Sequence, residues 1–345
     1  MRAIAITPRQ TGSLRLEQVE EAAGDGDPVL VRTLAVGVCG TDRELLEGQY
    51  GEAPPGRQRL VLGHESLGRV IRAPAHSGFE TGDLVVGLVR HPDPVPCANC
   101  ALGEPDMCRN GRYTEHGIKS IDGFCQERWQ SDPGFVIKLD PRLGLAGVLL
   151  EPASVLAKAW EHIERIGLRS RWAPRRVLVT GAGTVGLMGA MMGVQRGLEV
   201  HVLDRNEAGP KPRLVRELGA KHHLRFPAFE TDIVIEATGS PALIAQSVAG
   251  SAPGSIVCLT GLGGAEHAAS FDVAALNQSM VLENRVVFGT VNANRRHYEA
   301  AARALARAER GWLERVITRK VPLASWEQAY EKRPGDVKTV LCFED

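Results

Sequence analysis

The chain has 345 residues, of which 43% are hydrophobic and 24% charged. This is ordinary globular usage for about two domains at roughly 150 residues each, and it excludes a largely disordered chain. Lysine plus arginine total 41 and aspartate plus glutamate total 41, so no global attraction to nucleic acid or an anionic membrane is expected. The opening MRAIAITPRQ lacks a signal-peptide core, and no run of about 18 apolar residues stands out, which points to a cytoplasmic protein with no membrane span. Seven cysteines, at 39, 97, 100, 108, 125, 258 and 342, are odd in number and unevenly spaced, so they read as thiols and not as a disulfide framework.

In chain order, Ala3–Ile6, Val29–Leu34 and Leu84–Val89 are short β-like runs, punctuated by glycines from Gly40 to Gly87. No long amphipathic helix is expected before about residue 145. This half reads as a β-rich domain built on turns. From Ala146 to Ile166 the spacing of Leu149, Ala153, Leu156, Trp160 and Ile163 predicts one helix face. Arg169–Arg176 reads as an exposed basic loop, followed by the β-branched strand Arg176–Thr180. Leu187–Gln195 predicts a helix, and Glu199–Leu203, Asp232–Glu236 and Ser255–Leu259 further strands. The alternation predicts a doubly wound parallel sheet over about 170–300. Beyond Trp312, Glu314–Thr318 and Thr339–Phe343 read as strands that rejoin the first domain.

Gly181-Ala-Gly-Thr184-Val185-Gly186 follows a strand and opens a helix, and Asp204 ends the next strand at the spacing of a dinucleotide fingerprint. Gly181 permits the turn, Gly183 admits the pyrophosphate, and Gly186 allows close helix–sheet packing. The helix N-terminus offers N–H groups to the phosphates. A carboxylate at Asp204 accepts ribose hydroxyls and repels a 2′-phosphate, favouring NAD. Arg205, Lys211 and Arg213 keep NADP open as the alternative.

Cys39 in Gly37-Val-Cys-Gly-Thr-Asp42, His64-Glu65 and Glu151 form a plausible shell for a catalytic zinc with one open position. Such a zinc polarises an alcohol oxygen while its carbon passes hydride to nicotinamide C4. Thr41 is placed to relay the hydroxyl proton, and Asp42 to fix the His64 tautomer. Cys97-x-x-Cys100 with Cys108 suits a structural zinc, but Pro94 stands where a fourth cysteine would fall, leaving Asp93 or His91 as substitutes. Cys125, Cys258 and Cys342 read as packing residues. A non-catalytic nucleotide-binding regulator predicts a broken metal shell, and a zinc-ribbon nucleic-acid binder predicts a basic stripe. Neither feature is present.

With these residues in place the chain resembles the zinc-dependent medium-chain alcohol/polyol dehydrogenases, glucose dehydrogenase branch. The shared stretches are Gly37-Val-Cys-Gly-Thr-Asp-Arg-Glu44, Leu62-Gly-His-Glu65, Gly103-Glu-Pro-Asp-Met-Cys108, Asp122-Gly-Phe124, Leu150-Glu-Pro-Ala153, Val179–Gly186, Glu236-Ala-Thr-Gly239 and Gly289-Thr-Val-Asn292. The resemblance implies a GroES-like β-rich catalytic domain over 1–155, completed by 310–345, and a Rossmann domain over 156–309. It implies an active site in an interdomain cleft, and zinc held by Cys39 and His64 with Glu65 or Glu151. It places Thr184, Val185, Thr238 and Gly239 at the cofactor, Glu115 at substrate hydroxyls, and Asn292 near nicotinamide and sugar. The implied substrate is a sugar or polyol. The implied assembly is a homodimer or homotetramer joined at Val281–Val291. Two departures stand out: Val89 and Leu282 replace a sugar-binding asparagine and histidine of the glucose enzymes. A buried sugar hydroxyl facing them loses its partners at roughly 1–3 kcal/mol each, so another cyclic polyol or a partly apolar alcohol is the alternative substrate.

Overall fold

The structure, a computed structural model, describes residues 1–21, 27–263 and 272–344. It divides into two compact units, Met1–Ser154 with Asn292–Asp345, and Val155–Val291.

The first unit is built on a seven-stranded sheet. Its path runs Val136–Lys138, Leu84–Gly87, Glu65–Arg72, Val29–Val38, Lys338–Cys342 and Ile317–Pro322, and Arg128–Ser131 also pairs with Val29–Val38. The near-continuous burial of Val29–Val38 explains its central place: a strand covered on both faces carries apolar residues at almost every position. Ile4, Val31, Val36, Leu62, Phe124, Trp129 and Leu341 pack into one core. The chain's last strand closes against the first half, Thr339 opposite Val38 and Cys342 opposite Ala35.

The second unit is a six-stranded sheet in the order Lys221–His223, Glu199–Leu203, Arg176–Thr180, Thr231–Glu236, Ser251–Leu259 and Val286–Gly289. Every pairing in it is parallel. In chain sequence this is the order 3-2-1-4-5-6 of a dinucleotide-binding fold, whose ligand crevice lies where the winding reverses, beyond the carboxyl end of Arg176–Thr180. Leu178, Leu203, Val234, Val248 and Val257 form its core.

Several sequence expectations are corrected. Ala146–Leu149 belongs to the 3-10 stretch Pro141–Leu149, and the α-helix is Leu150–Gly167. Together Pro141–Gly167 is long and apolar enough to cross a membrane by length and composition, but 78% of its apolar window is buried inside the protein. Its hydrophobicity serves the core. The predicted strand at Glu314–Thr318 is instead the end of helix Arg310–Val316, capped by Glu309, and the strand is Ile317–Pro322. The chain returns to the first unit at Asn292, well before 310. Helix Arg295–Arg307 is amphipathic, burying Tyr298, Ala301 and Leu305. Asn294, which caps it, donates to Asp106 Oδ1 at 2.8 Å, anchoring the return.

Candidate active site

Register brings the first ligands together. Gly37 pairs with Glu65 on antiparallel neighbours, so Cys39, just beyond one strand, meets His64, just before the other. Cys39 Sγ lies 3.0 Å from His64 Nε2. One ligand atom each from Cys39, His64 and Glu65 fall within 4.8 Å of one another. Asp42 Oδ2 accepts the Cys39 N–H at 2.8 Å, and its Oδ1 lies 3.5 Å from His64 Nδ1. Asp42 therefore seats the thiol and turns the far ring nitrogen of His64 toward itself, leaving Nε2 for the cluster. Burial opposes a charged imidazole, but the Cys39 sulfur and the Asp42 carboxylate outweigh it and hold the His64 pKa well above its usual value. A set of sulfur, imidazole nitrogen and carboxylate oxygen, the last two buried and the sulfur partly exposed, that draws positive charge this strongly fits a zinc ion.

The two candidate carboxylates differ in their partners. Lys338 Nζ donates to Glu65 Oε1 at 2.7 Å, to Oε2, and to the Val38 carbonyl at 3.4 Å. Both side chains are 2% exposed. The Glu65 carboxylate lies over Gly37, where any Cβ would collide with it. Glu151, on the first turn of Leu150–Gly167, feels the Lys338 charge without bonding it and stands outside the three-residue cluster. Burial raises its pKa to about 7, with the His64 charge pulling the other way and Glu65 adding to the rise. Lys338 gives no sequence signal, because it meets Glu65 only through the last strand. Tyr298, fully buried and influenced by Glu151, was likewise invisible in sequence.

A polar triad lies on the same unit. Arg90 and Glu115 face each other across a short antiparallel pair. Arg90 Nε and Nη2 donate to Glu115 Oε1 at 3.0 and 2.8 Å, and Asn292 Nδ2 donates to the same oxygen at 2.6 Å. The Tyr113 ring stacks on the Arg90 guanidinium at 3.8 Å. Asn292 takes a left-handed backbone, φ 59°, and its Oδ1 accepts the Ala293 N–H at 2.7 Å. Asparagine tolerates that conformation where most residues do not. Val89 is buried beside Arg90. Leu282 is 69% exposed on helix Val273–Glu283, so its departure from the family touches a surface position of the second unit. Thr41 is half-buried on helix Gly40–Leu46.

Cys97, Cys100 and Cys108 also converge, their sulfurs within 4.8 Å. Neither proposed fourth ligand joins them. Asp93 Oδ1 accepts the Val95 N–H at 2.8 Å, and its Oδ2 is held by Asn110 at 2.9 Å and Arg112 at 3.3 Å. His91 stacks on Phe135 at 3.9 Å, away from the sulfurs. Three thiols without a fourth protein ligand do not make the closed four-ligand shell of a structural zinc. Cys125 and Cys258 are buried as packing residues, whereas Cys342 is partly exposed.

In the second unit Gly181 has φ +93°, and a Cβ on Gly183 would meet open space. A Cβ on Gly186 would run into the Gly181 carbonyl, so Gly186 is required by the loop itself as well as by helix–sheet packing. Thr184 and Val185 open helix Thr184–Gln195. Asp204 is partly spent on the fold. Its Oδ2 accepts the Ala182 N–H at 2.9 Å and lies 3.6 Å from Lys211 Nζ, and its Oδ1 accepts the Asn206 N–H at 2.9 Å. Burial alone would raise its pKa, but those bonds from Ala182 and Asn206 lower it below the usual carboxylate value. Arg205 is exposed beside it, and Arg213 pairs with Glu217. Buried Glu236 ties the neighbouring loop, accepting from Thr180 Oγ1 at 3.0 Å, the Thr238 N–H at 2.9 Å and the Gly239 N–H at 3.0 Å.

A GroES-like unit bearing a cysteine–histidine–glutamate cluster, followed by a six-stranded dinucleotide-type sheet, is the build of the zinc-dependent medium-chain alcohol dehydrogenases. Residues 25–141 match the alcohol dehydrogenase GroES-like domain, and 144–343 match the glucose dehydrogenase C-terminus. Glucose 1-dehydrogenase of Methanocella arvoryzae is 38% identical and that of Thermoproteus tenax 39%, each alignment covering 99% of both chains. The structure of Haloferax mediterranei glucose dehydrogenase, in complex with NADP, Zn and gluconolactone, superposes with a TM-score of 0.91 at 31% identity, covering 100% of both chains. The chain belongs to the glucose dehydrogenase family of these enzymes.

Proposed function

We propose that this protein oxidises the C1 hydroxyl of glucose or a closely related cyclic sugar, using NAD(P) and a zinc ion held by Cys39, His64 and either Glu65 or Glu151. The observation that carries the reading is the Cys39–His64 contact at 3.0 Å within a largely buried cluster that attracts a cation. When bound, the zinc supplies Lewis acidity at the reacting hydroxyl. Asp42 keeps His64 oriented toward the cluster. Lys338 already neutralises Glu65, so Glu151 is the carboxylate that gains most from a metal cation. Glu115, with one oxygen spent on Arg90 and Asn292, presents its other oxygen to a sugar hydroxyl. Thr41 takes up the proton released on oxidation. The glycine turn and the helix it opens receive the pyrophosphate, and Thr238 and Gly239 border the same crevice.

Asp204 favours NAD, since a carboxylate at this point of the fingerprint accepts ribose hydroxyls and repels a 2′-phosphate. Its engagement with Ala182, Asn206 and Lys211, with Arg205 exposed nearby, supports use of NADP as well. A second reading, a different cyclic polyol or an alcohol with an apolar part, is favoured by one observation: Val89 is buried beside the Arg90–Glu115 pair where a polar sugar contact is expected. A panel of aldoses, polyols and aliphatic alcohols, run with both cofactors and with zinc measured, tests both. Glucose turnover that is lost on chelation and in Cys39→Ser supports the first reading. Full activity of His64→Ala removes zinc from the mechanism. Glucose failing while another cyclic polyol reacts transfers the argument to Val89.

The protein is read as a cytoplasmic homodimer or homotetramer. Its seven cysteines are free thiols, in keeping with a reducing compartment. Helix Val273–Glu283 buries none of its residues and exposes Val273, Val281 and Leu282, and it leads into the edge strand Val286–Gly289. A second copy covering that apolar edge is the proposed assembly, tested by sedimentation of the wild type against Val281→Glu.

A further inference from the structure

We infer that Lys158 is a positioning residue for the sugar: its buried ammonium fixes the Val291–Asn292 peptide and, through it, the Asn292 side chain on Glu115. This rests on the sugar oxidation proposed above and adds a residue to it. Lys158 lies on helix Leu150–Gly167, on the side opposite Ala153, Leu156, Trp160 and Ile163. By periodicity alone that side belongs to solvent, yet Lys158 is only 2% exposed. Lysine is almost never fully buried without a partner, because taking an ammonium out of water is costly. Here Nζ donates to the Val291 carbonyl at 3.0 Å, a charge-assisted bond of the stronger kind.

Holding one carbonyl holds a whole peptide plane, since the atoms from Val291 Cα to Asn292 Cα are coplanar. Rotation about the next N–Cα bond then decides where the Asn292 Cβ points, and Asn292 sets it at φ 59°. In that setting Nδ2 reaches Glu115 Oε1 at 2.6 Å and Oδ1 accepts the Ala293 N–H at 2.7 Å. A left-handed backbone costs energy for any residue with a Cβ, so it persists where both sides of it are held. Glu115 and Ala293 hold the side chain, and Lys158 holds the peptide before it. Val291 exposes 57% of its surface, so its own packing does not supply that hold. Without the ammonium the peptide turns, the Asn292 amide swings off Glu115, and Arg90 alone is left to orient the carboxylate that meets the sugar.

The test compares wild type, Lys158→Met, Asn292→Ala and the double variant as zinc-loaded enzymes with glucose. Lys158→Met keeps the apolar stem and removes the donor. It should raise the glucose KM by about 10-fold, the worth of one hydrogen bond, with kcat changed by less than about 2-fold. Because Lys158 acts through Asn292, the double variant should match Asn292→Ala and not multiply the effects to about 100-fold. Calorimetric binding of ADP-ribose, which reports on the glycine turn of the same unit, should stay unchanged, whereas a lysine that merely supported the unit's core would weaken it. Independently of turnover, the crystal structure of Lys158→Met should show the Asn292–Glu115 hydrogen bond broken. Multiplying KM effects, a wild-type KM in folded Lys158→Met, or an intact Asn292–Glu115 bond in its crystal structure would overturn the positioning role and leave the dehydrogenase reading intact. Absence of glucose oxidation by wild type would instead remove that reading, and the crystal structure would still decide whether Lys158 holds Asn292.

Discussion

Lys338→Met isolates the role of the buried ion pair beside Cys39 and His64. The substitution keeps the length and most of the apolar stem, and it deletes an ammonium bonded to both Glu65 oxygens and to the Val38 carbonyl. Both partners are 2% exposed, so solvent screens the pair very little. Removing one member of a buried pair strands the other, at about 3–5 kcal/mol. Protonation offers the stranded carboxylate an escape, so the deficit is largest near pH 8 and shrinks toward pH 5. A bound zinc ion offers a second escape, because it replaces the missing positive charge. Urea denaturation of the metal-free proteins at both pH values, then with zinc added, measures all three effects, with an unchanged m-value confirming that stability alone moved. A deficit below about 1 kcal/mol at pH 8, or one that neither acid nor zinc reduces, would show that Glu65 does not depend on Lys338 for its charge.

Three further outcomes follow from the geometry. His91 and His116 are held to about 3 and about 4 by burial, with the His116 charge adding to the first and the Asp122 carbonyl partly offsetting the second. Both rings stay neutral in the fold and charge in the unfolded chain, so the unfolded chain binds more protons between about pH 4 and 6.5. Stability rises with pH through that window, each ring costing about 2 kcal/mol at pH 5. His91→Phe, which preserves the stack on Phe135, should flatten the slope between pH 5 and 7 in urea titrations, and an unaltered slope refutes the assignment. Gly186→Ala should cost about 1–3 kcal/mol by overpacking against the Gly181 carbonyl and weaken NADH binding about 10-fold or more. NADH fluorescence titration measures the second effect, and an unchanged Kd would mean the turn does not cradle the dinucleotide. Glu115→Gln keeps shape and weakens the hold on Arg90 and on a sugar hydroxyl. It should raise the sugar KM by about 10-fold, roughly 1.4 kcal/mol, with kcat little changed, whereas an equal loss in kcat would place Glu115 in the chemical step.

Much of the architecture was legible as pattern. Strand Arg176–Thr180 has the bounds its β-branched run predicted, strand Glu199–Leu203 has its predicted bounds too, and the glycine turn lies between them. These are local features, set by period, glycine and chain direction. Errors fell where tertiary contacts override local preference. Glu314–Thr318 looks like a strand, yet Glu309 accepts the N–H groups of Gly311 and Trp312 and starts a helix there. Residues 292–309 read as a continuation of the dinucleotide unit, yet Asn292 and Asn294 bind Glu115 and Asp106 of the other unit's first half.

The sequence by itself determined the two-unit plan, the glycine turn that opens the dinucleotide crevice, and the residue types of the candidate metal cluster. Those depend on side-chain chemistry and short spacing, which a linear chain displays. Only the tertiary structure decided that Lys338 neutralises Glu65, that Arg90 and Asn292 share one Glu115 oxygen, and that Asp93 is committed away from the three-cysteine lobe. Each of those depends on which groups meet after long loops close and water is expelled. The energy of a buried charge is set by the neighbours it then has.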